Sequence, residues 1–186
     1  MTHHLPDAAS RPWRAAWIGL GANLPSHAGG PRETLSAARA RIEALPHTRL
    51  SGVSRLYESS PVDADGPAFV NQVVRVQTAL QARALLLQLQ TIEQAFGRKR
   101  PFRNAPRTLD LDLLAMSGEI HTDADLILPH PRLHQRLFVL MPLADLDPAL
   151  DIPGQGSVQG LLDRLLTSEH HQDCQPMRRR PDEKTP

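Results

Sequence analysis

Two stretches of helical period, each framed by stretches of strand period, constrain this chain more than any other feature. "GGPRETLSAARARIEAL" (29–45) carries Leu35, Ala38, Ile42 and Leu45 on one stripe, with Pro31 near its first turn. "ARALLLQLQTIEQAF" (82–96) repeats the pattern with Leu85, Leu89, Ile92 and Phe96, and Gly97 follows as a stop. The apolar run "AAWIGLG" (15–21) precedes the first helix. Between the helices, "TRLSGVSRLYES" (48–59) and "FVNQVVRVQTAL" (69–80) read as two strands, and "RTLDLDLL" (107–114) follows the second helix as another. The order β-α-β-β-α-β predicts an α+β, ferredoxin-like fold, an antiparallel sheet with helices on one face. A turn at Ser117-Gly118 adds a short extra hairpin strand around Ile120.

With 186 residues and 40% of them hydrophobic, the chain can bury one good core, and a single domain is expected over 14–167. Residues 1–13 read as a flexible arm. Residues 168–186, almost without apolar side chains, read as a disordered polar tail whose "RRR" (178–180) is a solvated charge run. His3, His4, His170 and His171 lie in these arms without metal-ligand spacing. A net charge of +1 supplies no global attraction to nucleic acid or to an anionic membrane, so neither is expected as a partner. The start has no signal-like apolar run and no stretch is long enough to span a bilayer. The lone Cys174 excludes an intramolecular disulfide. A cytoplasmic monomer is the expectation.

The chemistry concentrates at "RTLDLDLL". In a strand, Asp110 and Asp112 share one face, roughly 6–7 Å apart, while Leu109, Leu111 and Leu113 share the other. Like charges this close raise each other's pKa unless a cation intervenes, and Arg107 or a divalent metal could serve. Just upstream, "GRKRPFRNAPR" (97–107) sets Arg98, Lys99, Arg100, Arg103 and Arg107 on a loop stiffened by Pro101 and Pro106. Acidic pair plus cationic loop is what a metal–polyphosphate site requires, carboxylates for Mg²⁺ and guanidiniums for the remaining phosphate charge; a half-exposed strand with an acidic outer face and a solvated basic loop are the plain alternatives. Gln90 and Glu93, one turn apart near the loop's root, read as nucleotide contacts or as ordinary polar positions of a helix. His130, between Pro129 and Pro131, reads as a phosphate donor or as a structural histidine. "GLGANL" (19–24) lacks the third glycine of a dinucleotide fingerprint, and no P-loop is present. A strand ending in a glycine turn and a substrate contact both remain open there.

Six segments in order and spacing, "GANL", "YESSPVD", "FVNQVV", "QTIEQAFGRKR", "PRTLDLDLL" and "LPHPRLHQRLFVLMPL", resemble the 6-hydroxymethyl-7,8-dihydropterin pyrophosphokinases across about residues 15–150. The resemblance implies the ferredoxin-like fold already read from the order of elements. It also implies transfer of the pyrophosphoryl group of ATP to the pterin hydroxymethyl, with release of AMP, in folate biosynthesis. Asp110 and Asp112 then match the ligands of two Mg²⁺ bound with ATP, and Arg98 and Arg107 match catalytic loop arginines. Gln90, Glu93, Arg100, Leu113, His130 and Arg136 fall on ATP-site positions. Asn71 matches the amide that reads the pterin edge, Phe69 and Phe138 the aromatics that sandwich the ring, and Ser59 and Val62 the loop that closes the pocket. Three features depart from many members: Asn104 stands where tryptophan is common, the basic loop is one residue shorter, and position 69 is often tyrosine.

Three other readings compete, of which a catalytically dead nucleotide-binding relative is disfavoured by the presence of Asp110, Asp112, Arg98 and Arg107. A nucleotidyltransferase would share the metal logic, but no Gly-Ser pair lies at the right distance upstream of Asp110. An RNA-binding module on this fold needs aromatic-rich central strands, and "TLDLDLL" offers acids instead.

Overall fold

Alternation along β1 (Arg14–Ala22) sorts the molecule into two layers. Ala16, Ile18, Leu20 and Ala22 enter one apolar core, while Trp17 enters a second on the opposite face. The structure, a computed structural model, describes residues 12–61, 66–97, 107–168 and 173–178. After β1 come α1 (Pro31–Glu43), β2 (Thr48–Val53), β3 (Tyr57–Ser59), β4 (Phe69–Thr78), α2 (Ala82–Ala95) and β5 (Asp110–Met116). All neighbours pair antiparallel: β5 with β1, β1 with β4, and β2 and β3 end to end along the other edge of β4. This is the ferredoxin-like arrangement that the order of elements predicts.

The single strand expected over 48–59 is therefore two. Ser54 stitches the break: its N–H donates to the Val73 carbonyl at 3.0 Å, and its Oγ accepts the Val73 N–H at 3.0 Å. Its carbonyl takes the Gln72 side-chain amide at 2.9 Å. The hairpin strand expected around Ile120 is displaced. The turn at Ser117-Gly118 forms, with Gly118 at φ 72°, but the paired strands are β6 (His121–Asp123) and β7 (Leu126–Leu128) in a sheet of their own. Ile120 lies outside both.

α1 and α2 pack on one face, burying Leu35, Ala38, Ile42, Leu85, Leu89 and Ile92 against the sheet. The other face is covered in part by two helices absent from the reading of the sequence, α3 (Leu137–Leu146) and α4 (Val158–Leu166), joined by the small β8–β9 hairpin (Asp151–Ile152, Gly156–Ser157). α3 is apolar all round and carries Pro142, so it shows no amphipathic stripe. α4 did carry a signal: Val158, Leu161 and Leu162 at helical spacing behind Ser157, whose Oγ caps the helix by accepting the Gly160 N–H at 3.2 Å. α3 is tied to the sheet by polar pairs. Asp147 accepts from the Trp17 indole at 2.7 Å and from Arg75 at 2.8 Å, and Asp145 accepts from Arg55 at 2.7 Å and the Tyr57 hydroxyl at 3.0 Å.

The tail also departs from expectation. Cys174–Pro176 forms β10, which adds an outer strand beside β3, so the segment from 168 onward is not disordered throughout. Most of the 1–13 arm lies outside the described residues.

Candidate active site

α3 and α4 cover only part of their face of the sheet. The uncovered part holds three rows of residues: Phe69, Asn71 and Val73 on β4, Gly19 and Gly21 on β1, and Asp110, Asp112 and Leu114 on β5. The register aligns them. Gly19 lies opposite Val73 on one side and Asp112 on the other; Gly21 lies opposite Asn71 and Asp110. The central strand thus has no side chain between the amide row and the acid row. A Cβ at Gly21 would stand 3.4 Å from Asn71 Oδ1, and one at Gly19 would stand 3.4 Å from Leu114, so either would fit but would fill the floor. The two glycines of "GLGANL" are there for space, not for turn geometry.

Above this floor is a cavity of about 560 Å³, well within the range of small-molecule sites. Arg132, Gln135, Arg136, Phe138 and Val139, from the start of α3 and the turn before it, wall one side. Ser59, Ser60 and Pro61 wall another, and Arg107 stands by the acids. Among the described lining residues, three arginines meet two carboxylates. Arg107 donates to Asp110 at 2.6 Å, both side chains being partly buried. Burial lowers the Arg136 pKa, opposed first by Asp112, and its guanidinium stands 5.4 Å from the Phe138 ring centre. Arg132 makes no side-chain hydrogen bond or ion pair among the described residues.

Supporting groups fix the first rank of side chains. β5 is an edge strand, so some of its backbone donors face away from the sheet. Buried Glu93 on α2 accepts the Leu111 N–H at 2.7 Å, which holds the residue between the two aspartates. Buried Asn23 accepts the Arg107 N–H at 2.9 Å through Oδ1 and donates through Nδ2 to the Pro67 carbonyl at 3.1 Å. The Asn23 and Leu24 N–H groups both donate to the Arg107 carbonyl. One side chain thus ties the root of the basic loop to the segment that leads into β4. Asn71 donates from Nδ2 to Ser59 Oγ at 3.0 Å, leaving its Oδ1, near Gly21, to accept from a ligand.

His130 sits beside the cavity and not in its lining. Its backbone N–H donates to the Leu114 carbonyl at 2.7 Å, and its ring Nδ1 accepts the Arg132 backbone N–H at 3.2 Å. Burial, then Arg136 and Arg132, push its pKa down to about 4. The ring is neutral near pH 7, with its proton on Nε2.

Among the described residues, no cluster of three or more His, Cys, Asp or Glu side chains forms a metal cage. Two aspartates facing an open cavity suit a different arrangement. Mg²⁺ is commonly held by one or two carboxylates together with substrate phosphates and water, and the donor set here fits that.

A family model described as 7,8-dihydro-6-hydroxymethylpterin-pyrophosphokinase matches residues 17–148. The chain belongs to this pyrophosphokinase family. It is 46% identical over 138 residues to the 2-amino-4-hydroxy-6-hydroxymethyldihydropteridine pyrophosphokinase of Pseudomonas aeruginosa, covering 74% of this chain and 83% of that one. Likeness to the identically named Bacillus subtilis protein is 41% over 133 residues, covering 70% and 77%. With that of Haemophilus influenzae it is 38% over 148 residues, covering 79% and 90%. In structure the chain is similar to Plasmodium falciparum HPPK-DHPS, with TM-score 0.63 and 15% identity over 83% of this chain. It spans only 45% of that longer chain, and the likeness speaks to the fold alone.

Set on the pyrophosphokinase frame, Asp110, Asp112, Arg107, Arg136, Ser59, Phe69, Asn71 and Phe138 converge on one cavity. Four expected ATP-site residues do not line it. Gln90 is exposed on α2, Glu93 is buried against β5, Leu113 points into the α1–α2 core, and His130 flanks the wall. Arg98, Arg100 and Val62 lie outside the described residues, as do Lys99, Arg103 and Asn104. The reading of the sequence missed Gly19 and Gly21 as floor, Asn23 as tether, and Arg132 and Gln135 as wall. For the glycines a signal existed, since G-x-G in a strand bares one face twice in succession.

Proposed function

We propose that this chain transfers the pyrophosphoryl group of ATP to 6-hydroxymethyl-7,8-dihydropterin in a Mg²⁺-dependent step of folate biosynthesis, leaving AMP. One observation carries the reading beyond family membership. A single cavity holds an acid pair faced by arginines at one end and an amide acceptor with two phenylalanines at the other. The first end suits a triphosphate and the second a flat, donor-edged heterocycle.

In this reading Asp110 and Asp112 would hold two Mg²⁺ together with ATP. Bound there, the metal would supply neutralisation and alignment of the phosphate chain. Arg107, Arg136 and Arg132, with Arg98 and Arg100 from the loop, engage the remaining phosphate charge. Arg107, paired with Asp110 at 2.6 Å, stands beside the acids where it can also reach a phosphate. His130 acts as a neutral donor through Nε2. Asn71 Oδ1 accepts from the pterin's N–H edge, and Phe69 and Phe138 flank its ring. The pterin hydroxyl oxygen bonds to the β-phosphorus, the bond from that phosphorus to the α-phosphate's bridging oxygen breaks, and the hydroxyl proton passes to solvent. Arginines placed around the transferred group stabilise the charge shifted onto the AMP oxygen.

No helix among the described residues is long and apolar enough to cross a membrane. A monomer acting in the cytoplasm, with neither membrane nor nucleic acid as partner, completes the proposal. Incubation with ATP and the dihydropterin tests it. AMP should form only when the pterin is present, and excess chelator should stop it. ADP as the product, or full turnover in chelator, would overturn it.

A further inference from the structure

The pterin side of the cavity rests on a weak element. β3 is three residues long, pairs with β4 only through Tyr57, Glu58 and Ser59, and would be a bare edge without β10. Yet it carries Ser59, which holds the Asn71 amide, and it leads directly into Ser60 and Pro61 of the cavity wall.

β10 covers that edge in register, with Cys174 opposite Ser59, Gln175 opposite Glu58 and Pro176 opposite Tyr57. The Ser60 N–H donates to the Asp173 carbonyl at 3.2 Å, and the Met177 N–H donates to the Leu56 carbonyl at 2.9 Å. Antiparallel pairing alternates, so Asp173, Gln175 and Met177 turn their backbone groups toward β3, while Cys174 and Pro176 turn theirs outward. Pro176 therefore loses no bond to β3 and blunts the new edge against further pairing. Side chains anchor the segment on both faces of the sheet. Met177 packs against the α1–α2 core and Cys174 against the α3–α4 core, where burial pushes its thiol up to about 11 and keeps it neutral. The Arg178 carbonyl accepts from Arg32 of α1 at 3.0 Å. None of these residues lines the acid–arginine end of the cavity. All lie beyond residue 148, where the family match stops.

We infer that Asp173–Met177 is a strap that positions the pterin-binding edge of the cavity, acting through β3 on Ser59, Ser60 and the Asn71 amide. The identity of the ligand at that edge rests on the proposed function; the mechanical part does not. In the full chain, Gln175→Pro removes the inward N–H at the middle of the strap, and Gln175→Ala keeps it. Three readouts are compared: KM for dihydropterin against KM for ATP, kcat at saturation, and hydrogen exchange over residues 57–61 and 110–116. For Gln175→Pro the pterin KM should rise about tenfold. The ATP KM and saturated kcat should stay within about twofold, and exchange should quicken over 57–61 but not over 110–116. Gln175→Ala should match wild type. Met177→Ala, which removes one anchor and no backbone bond, should move the same readouts the same way, and it decides the matter if Gln175→Pro does not fold. Unchanged exchange over 57–61, an unchanged pterin KM despite faster exchange, or equal rises in both KM values would overturn the strap. If wild type forms no AMP, the proposed function fails on its own, and exchange alone then decides the strap.

Discussion

Asp110 and Asp112 share one strand face, and Arg107 donates to Asp110 at 2.6 Å. Asparagine at either position keeps the shape and removes a charged oxygen from the proposed metal site, so single-turnover rates should fall at least about 10³-fold for both. Without Mg²⁺, Asp110→Asn relieves like-charge repulsion but loses the Arg107 pair, so thermal stability should fall by no more than about 0–1 kcal/mol. Arg107→Ala should lower kcat by about 10²–10³ while weakening ATP binding far less, because an arginine beside the transferred group contributes more in the transition state than in the ground state. Affinity lost with the saturated rate intact would make Arg107 a binding residue only. His130 supplies a pH test. Its folded pKa of about 4 lies below the ordinary value of about 6.5. Stability from this site is thus whole above about pH 6.5 and declines as pH falls from there to about 4, since the unfolded chain takes the proton first. Denaturant unfolding at pH 7.5 and 4.5 should show wild type losing about 1–2 kcal/mol more than His130→Asn, after allowance for solvent screening.

At the scale of elements, what could be read from the sequence was what has a period. The stripes Leu35–Ala38–Ile42 and Leu85–Leu89–Ile92 place α1 and α2, and the two-residue alternation of "TLDLDLL" turns both aspartates to one face. α3 escaped because "LFVLMPL" is apolar on every side, and β10 because the three residues Cys-Gln-Pro carry no pattern. The floor of the site escaped for another reason. G-x-G marks a bared strand face, but which rows flank Gly19 and Gly21 is set by a register that no local stretch encodes. Asn23 is similar, since its partners Arg107 and Pro67 lie 84 and 44 residues away. Asn23→Ala should leave the Arg107 N–H and the Pro67 carbonyl without that partner, at about 1–3 kcal/mol for each group that stays buried. Both ends of the cavity hang from this tether. ATP and pterin affinities should therefore fall together, which paired titrations would detect; loss of one alone would mean that Asn23 serves a single loop.

Over the whole molecule, one face of the sheet is given to stability and the other is divided. α1 and α2 seal the first; α3 and α4 cover part of the second and leave the remainder as the cavity. The cavity joins two kinds of lining on one floor, an acid row and an amide row with bare glycines between them; the proposed function sets phosphates over the first and the pterin ring over the second. In the proposed function the pterin hydroxyl attacks the β-phosphorus, so the transferred unit should contain two phosphorus atoms. Phosphorus NMR of the wild-type reaction with MgATP and dihydropterin measures this directly. The β and γ signals of ATP should disappear together and reappear as the two coupled signals of a pterin diphosphate, with AMP as the only nucleotide formed. Transfer of the γ signal alone, leaving ADP, or release of free pyrophosphate would contradict it.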